Sequence, residues 1–179
     1  FCFGGVLAHR TSKVGGNDMT EAVARYLREQ HQLHVSELEA ERVKVVSAAE
    51  ENGHPLVVRG RDGGSGRARL ATVQAAEMAV AVRPVVDEVV RALAACLDDL
   101  PPQGLADVLA EGVLVFGGAS QVHGLPQHLE SELGLPIKLA EEPLTCVAEG
   151  AARALRNRSL LDYIDDPLVW VDTDQAHLE

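Results

Sequence analysis

Aromatic side chains are scarce in this chain: one Trp, two Tyr and three Phe, 3% of 179 residues. A core made from it must be built of Val, Leu and Ala rather than stacked rings. Cysteine is scarce as well. Cys2, Cys96 and Cys146 lie far apart with no paired spacing, which gives no zinc motif and predicts buried, reduced thiols of a cytoplasmic protein. No apolar run is long enough to span a bilayer, and no signal peptide is visible. Positive charge is also short: 16 Lys and Arg stand against 27 Asp and Glu, a net charge of −11. That balance argues against nucleic-acid partners and against a basic membrane-surface patch.

What the chain does have is aliphatic surface to bury. Hydrophobic residues make up 46% of it, which suits one sizeable domain or two small lobes. It begins Phe1-Cys2-Phe3-Gly4-Gly5, without Met and in the pattern of a strand, so an N-terminal portion is expected to precede it. Residues 1–3 and 6–10 read as strands joined by a Gly-Gly turn. Gly15-Gly16-Asn17-Asp18 breaks that pattern and offers Asn17 or Asp18 as an N-cap. A helix over 19–30 follows, with Met19, Ala22, Val23, Tyr26 and Leu27 at helical spacing. Ser36, followed three residues later by Glu39, is a capping box opening a second helix to about residue 49.

Residues 56–61 and 67–73 are extended runs flanking Asp62-Gly63-Gly64-Ser65-Gly66, a β-hairpin. The glycine-rich loop leads into a strand and lacks the Lys-Ser/Thr ending of a phosphate-binding P-loop, so it reads as a turn. Residues 75–82 read as a short helix. Pro84 opens a separate one running to Leu97, with Val85, Val86, Val89, Val90, Leu93 and Leu97 as its apolar stripe. Pro101-Pro102 ends it, and 105–109 form one more short helix. A helix over 125–133, a strand over 136–139 and a helix over 143–155 complete the ordered part, before an acidic, partly disordered tail. This alternation around a hairpin insertion indicates an α/β core carrying a small α+β lobe.

The stretch 112–125 organises the second half. Val113, Leu114, Val115 and Phe116, bounded by glycine, read as a buried strand that empties through Gly117-Gly118-Ala119-Ser120 into a polar helical segment. Glycines at such a point let the backbone turn sharply and approach a ligand, which makes a cradle for phosphate or ribose. Other constellations are weaker. His31 and His34, or His123 and His128, lack a third ligand, and no metal site is predicted. Ser120 with His123 lacks a nucleophile elbow and an orienting acid, and no catalytic residue is assigned. Asp98-Asp99 and Glu141-Glu142 read as solvated faces or caps.

Four segments point further. Val14-Gly15-Gly16-Asn17-Asp18-Met19-Thr20-Glu21-Ala22 is close to the pattern V-G-G-D-x-M-D-E-A. Ala40-Glu41-Arg42-Val43-Lys44 is the second, and Val58-Arg59-Gly60-Arg61-Asp62, with Gly66 beyond it, is the third. The last runs from Pro101 through Gly112, Gly117-Gly118 and Gly124-Leu125 to Glu142-Pro143-Leu144-Thr145 and Val147-Ala148, against the pattern E-x-P-L-x-x-V-A-x-G. In one register over residues 4–156 the chain resembles the C-terminal half of the MreB family, bacterial actin-like rod-shape proteins.

The resemblance implies an actin-like ATPase second lobe. An RNase H-like core (1–33 and 76–156) would carry an inserted helix and β-hairpin subdomain (34–75), with an acidic tail at 157–179. It implies ATP with Mg2+ as cofactor, clamped between two lobes. Gly15 and Gly16 would lie near phosphates and ribose, Glu41 and Lys44 would face ribose and adenine, and Gly117, Gly118 and Ala119 would run under the adenosine. It also implies self-association into filaments, a cell-wall synthesis or elongation machinery as partner, and a place in the cytoplasm at the inner membrane face through partners, without direct membrane contact by this piece.

Departures from the pattern are Asn17 for Asp, Ala119 for the third Gly of a G-G-G turn, and Ser47 for a Gly after the Lys44 helix. The family's two phosphate loops and its water-activating residue have no counterpart in these 179 residues. Phosphoryl transfer needs charge stabilisation from both sides of the phosphates, so no ATP hydrolysis is expected of this chain alone. The alternative is a degenerate half-domain, an interaction scaffold that no longer binds nucleotide, motivated by Asn17 and Ala119.

Overall fold

Gly15, extended at φ −161°, caps the first helix, α1 (Gly16–His31). The computed structural model describes residues 6–50, 53–122 and 124–157. α1 opens three residues earlier than the apolar spacing predicts, and neither Asn17 nor Asp18 is its N-cap. Asp18 instead lies in the first turn, where its Oδ2 accepts the Gly15 N–H at 2.7 Å. A carboxylate there satisfies an orphan donor and opposes the helix dipole. The helix ends at Gln32, in the left-handed region at φ 50°.

After β1 (Leu33–His34), Ser36 caps α2 (Glu37–Ala49), its Oγ accepting the Glu39 N–H at 3.2 Å. Only this half of the expected capping box forms, because the Glu39 carboxylate is used elsewhere. β2 (Leu56–Asp62) and β3 (Ala68–Val73) make the expected hairpin, with Val58 opposite Ala71 and Gly60 opposite Arg69. β1 adds antiparallel to β2 at Asp62 and Arg61, giving a three-stranded sheet. The Asp62 carboxylate holds the turn. Its Oδ1 accepts from Ser65 N at 2.8 Å, Ser65 Oγ at 2.9 Å and Gly64 N at 3.2 Å.

α3 (Ala75–Asp98) is one helix of 24 residues, not two, and Pro84 lies inside it. A mid-helix proline removes the hydrogen bond to the residue four before it, here Val80, which is 60% exposed. Solvent can therefore satisfy the freed carbonyl. Helix is kept on both sides of Pro84 by burial of Met78, Ala81, Val82 and Val86. α4 (Pro102–Glu111) starts on Pro102 and runs longer than its apolar residues alone suggest.

β4 (Val113–Val115) and β5 (Ile137–Leu139) form a two-stranded parallel sheet, joined through α5 (Leu125–Leu133). β4 is less buried than expected, with Leu114 60% exposed. α6 (Cys146–Arg156) starts later than predicted, after a turn at Pro143 to Thr145.

Residues 6–10 form no strand: Val6 and Leu7 stay exposed and no described strand pairs with them. A strand persists only where a partner satisfies its backbone groups, and among the described residues 6–10 have no partner strand. The predicted strand at 1–3, the Gly4-Gly5 turn, His123 and residues 158–179 of the expected tail lie outside the described residues.

One apolar cluster unites the fold. Met19, Val23 and Leu27 of α1 pack with Val43 of α2, Val58 and Val73 of the hairpin, and Met78, Val82 and Val86 of α3. Leu125 and Leu129 of α5 extend it. The hairpin thus buries its inner face on two helices flanking it in sequence, and this clamps the start of α1 beside α2.

Candidate functional site

The start of α1 and the middle of α2 meet at Thr20, which is buried. Thr20 Oγ1 lies 3.0 Å from the Gly16 carbonyl oxygen and donates to Glu41 Oε2. Lys44 Nζ donates to Gly16 O at 2.9 Å and to Thr20 Oγ1 at 2.9 Å, and pairs with Glu41 Oε2 at 2.6 Å. Glu41 and Lys44, three residues apart, stand on one face of α2. These bonds from Lys44 and Thr20 hold the Glu41 carboxyl below its ordinary range, against the opposing effect of burial. The structure thus brings together Gly16, Glu41 and Lys44, with Gly15 as the cap immediately before them.

Thr20 is the member of this cluster that sequence reasoning missed. It stands where the pattern V-G-G-D-x-M-D-E-A has its second Asp, and a polar residue among Met19, Ala22 and Val23 on a buried face was the available signal. Ser47 is committed to helix structure: it is buried and its Oγ donates to the Lys44 carbonyl at 2.8 Å. Beside Thr20 a cleft of about 400 Å³ is lined by Asn17, Asp18, Glu21, Ala24 and Glu37. Its acidic lining suits hydrogen-bond donors and cations, not bare phosphate.

The second group of predicted residues forms a separate turn. Gly117, at φ 92° and ψ 161°, leaves β4 in a conformation open essentially to glycine alone. Its N–H donates to Pro143 O at 2.7 Å. Gly118 begins a short 3₁₀ turn (Gly118–Gln121), and Ser120 Oγ locks that turn by donating to Gly117 O at 2.6 Å. Ala119 packs against the core rather than standing clear of it. Among the described residues no hydrogen bond or ion pair joins this turn to the Thr20 cluster.

Two of the candidate histidines have structural partners. His31 Nε2 lies 2.8 Å from Glu77 Oε2, and His128 Nε2 lies 3.1 Å from Asp87 Oδ1. A smaller groove of about 260 Å³ between α3 and α5, lined by Ala79, Val82 and Val86 among others, contains none of Gly15, Gly16, Glu41, Lys44, Gly117, Gly118 and Ala119.

Known proteins resemble this chain over most of its length. The family model described as MreB/Mbl protein matches residues 1–162. The cell shape-determining protein Mbl of Bacillus subtilis is 32% identical over 161 residues, covering 88% of this chain and 48% of the relative. The cell shape-determining protein MreB of Escherichia coli K12 is 31% identical over 154 residues, covering 84% of this chain and 44% of the relative. The chain spans about half the length of the curated relatives it matches.

Among solved structures, MreB5 of Spiroplasma citri bound to ADP superposes with a TM-score of 0.81 at 22% identity, over 90% of this chain and 50% of that one. A MamK double helical filament superposes at 0.68 and 19% identity, over 81% and 45%. The fold is therefore that of one lobe of the actin-like proteins, with the helix and hairpin insertion read from the sequence. On the match to residues 1–162 and these relatives, the chain belongs to the MreB/Mbl family.

Proposed function

We propose that this chain is part of an ATP-dependent, filament-forming cell-shape protein and supplies the adenosine-side half of its nucleotide cleft. The observation that carries this reading is the cluster at Thr20, which sets a carboxylate and a cation of α2 directly over the glycine start of α1. Glu41 offers acceptor atoms suited to the two hydroxyls of a ribose. In this reading Gly15 and Gly16 lie near phosphates and ribose, Glu41 and Lys44 form the wall towards ribose and adenine, and Gly117, Gly118 and Ala119 pass beneath the adenosine. Residues 1–33 and 76–156 belong to the RNase H-like core, and 34–75 to the inserted subdomain.

Magnesium would accompany the phosphates, and its ligands are not assigned to this chain. The phosphate-side machinery is likewise assigned elsewhere, so residues 1–179 alone bind nucleotide weakly and do not hydrolyse it. Self-association into filaments, a wall-synthesis partner and a cytoplasmic location follow from the family reading. No described helix is long and apolar enough to cross a membrane. Calorimetric titration of the full-length protein with ATP and Mg2+ tests the proposal. ATP binds the unaltered protein and Lys44→Ala weakens it; a protein without nucleotide affinity refutes the reading in favour of a scaffold.

A further inference from the structure

β3 is the outer strand of its sheet: it pairs with β2 and, among the described residues, with no strand on its other side. The Asp62 N–H donates to Arg67 O at 2.8 Å, and in an antiparallel pair the bonded positions then recur every second residue. Gly60, Val58 and Leu56 therefore bond their register partners Arg69, Ala71 and Val73. The Arg59 N–H and the Val57 carbonyl agree with this phase, since they turn away from β3 to meet Glu39 and Arg42. The N–H and C=O groups of Ala68, Leu70 and Thr72 are left pointing out along an open edge. Such edges are usually kept very short, bulged, broken by proline or charged with lysine. β3 has six residues, neither Lys nor Pro, and an exposed Leu70 in its middle.

The face that Leu70 shares is basic. Arg59 and Arg61 stand opposite Leu70 and Ala68, and Arg67 lies just before the strand. All three are exposed, and none forms an ion pair among the described residues. The complementary sequence is in the same chain. Residues 158–179 hold six Asp and Glu against one Arg. Within them Leu168-Val169-Trp170-Val171 is a run rich in strand formers, between Asp165-Asp166 and Asp172-Thr173-Asp174. Pro167 precedes it, at a position where a strand tolerates proline. The ten residues between Asn157 and Leu168 can extend to about 35 Å, about the width of a domain of this size. We propose that residues 168–174 add to the open edge of β3 as a fourth strand. The backbone of Ala68, Leu70 and Thr72 supplies the hydrogen bonds, and Arg59, Arg61 and Arg67 hold the aspartates. The acidic segment thereby closes the edge against pairing with other chains.

The test is amide hydrogen exchange on the full-length protein without nucleotide, intact and with residues 158–179 deleted. Deletion is expected to speed exchange at Ala68, Leu70 and Thr72 by about tenfold or more, while Val58 and Ala71, bonded within the hairpin, keep their rates. Equal rates at the edge in the two proteins overturn the proposal. Protection that grows with protein concentration also overturns it, because a second copy would then supply the strand. Rising salt should weaken the protection by screening the guanidinium–carboxylate pairs, and protection indifferent to salt overturns the choice of an acidic segment. If deletion also speeds Val58 and Ala71, the double variant Trp170→Pro with Val171→Pro decides. One of these two residues must turn its N–H towards β3 whatever the register, and proline has none to offer. That variant must expose Leu70 while Val58 and Ala71 stay protected, and a Leu70 amide that remains protected in it overturns the proposal.

Discussion

The Glu39 carboxylate and the Arg42 guanidinium, one turn apart on α2, close the open edge of β2 between them. Arg42 donates to Glu39 through Nε at 2.9 Å and Nη2 at 2.7 Å. The same carboxylate accepts the Arg59 N–H at 2.8 Å, and the same guanidinium donates to Val57 O at 2.8 Å. β1 pairs with β2 only at Asp62 and Arg61, so the backbone of Val57 and Arg59 has no strand beyond it. An unpaired edge invites association with other chains, and here two side chains of a helix replace the missing strand.

A surface ion pair contributes little by itself, about 0–1 kcal/mol. Because this one also carries two backbone bonds, Glu39→Ala is expected to destabilise the fold by about 1–3 kcal/mol. Urea unfolding followed by circular dichroism measures it. A loss within error of zero would mean that solvent replaces the carboxylate at the β2 edge at no cost.

Acid should unfold the protein through a small set of carboxylates. Bonds from Arg42 hold Glu39 below its ordinary value, and bonds from Lys44 and Thr20 do the same for Glu41. Burial pushes Glu77 up, but the Gln74 N–H and His31 outweigh it and leave the group lowered. Asp62 falls from 3.8 to about 2, chiefly through the backbone and hydroxyl of Ser65 and then Arg69. A carboxylate lowered by folding stabilises the native state above its unfolded value, and that contribution is lost as pH falls through the folded value. Stability should therefore hold above 4.5 and decline below it. The Asp62 share disappears between 3.8 and about 2. Urea midpoints measured across this range should show Asp62→Asn flattening the lowest part of the curve. An unchanged acid limb in that variant would refute the role of the turn.

The hairpin and α5 were legible because their signals are local: alternation around a glycine-rich turn, and helical spacing between Gly124 and Gly134. Pro84 misled because its effect depends on what the neighbouring turns bury, which no local pattern records. The strand expected at 6–10 failed for a related reason, since a strand is specified by its partner as much as by its own residues. At the site, glycines and charged residues showed themselves as motif members. Thr20 did not, because a buried hydroxyl is recognised only once Lys44 and Glu41 are seen to converge on it.

Pro84 gives a prediction of the opposite sign from most substitutions. It is exposed within α3 and leaves the Val80 carbonyl without its helical donor. Pro84→Ala supplies that donor and removes the ring clash, so stability should rise, by about 1–3 kcal/mol. Thermal unfolding reads this directly. A fall instead would show that α3 needs a bend at Pro84 to place Val82 and Val86 in one core.

Gly112 sets the entry to β4 and should tolerate no side chain. Its φ of 84° with ψ of −175° is a conformation essentially confined to glycine. A β-carbon there would also stand 2.5 Å from the carbonyl oxygen of Pro136. That oxygen accepts the Val113 N–H at 2.8 Å, the first bond between the two parallel strands. Gly112→Ala therefore strains the backbone, at about 1–3 kcal/mol, and pushes β5 away from β4 at the same time. Since Gly117 N donates to Pro143 just beyond β5, the displacement should reach the Gly117 turn. Amide hydrogen exchange should then show faster exchange at Val113 and Gly117 in the variant, with the Val58 and Ala71 amides of the hairpin unchanged. Equal acceleration in both regions would mean global loss of stability rather than a local opening of the parallel pair.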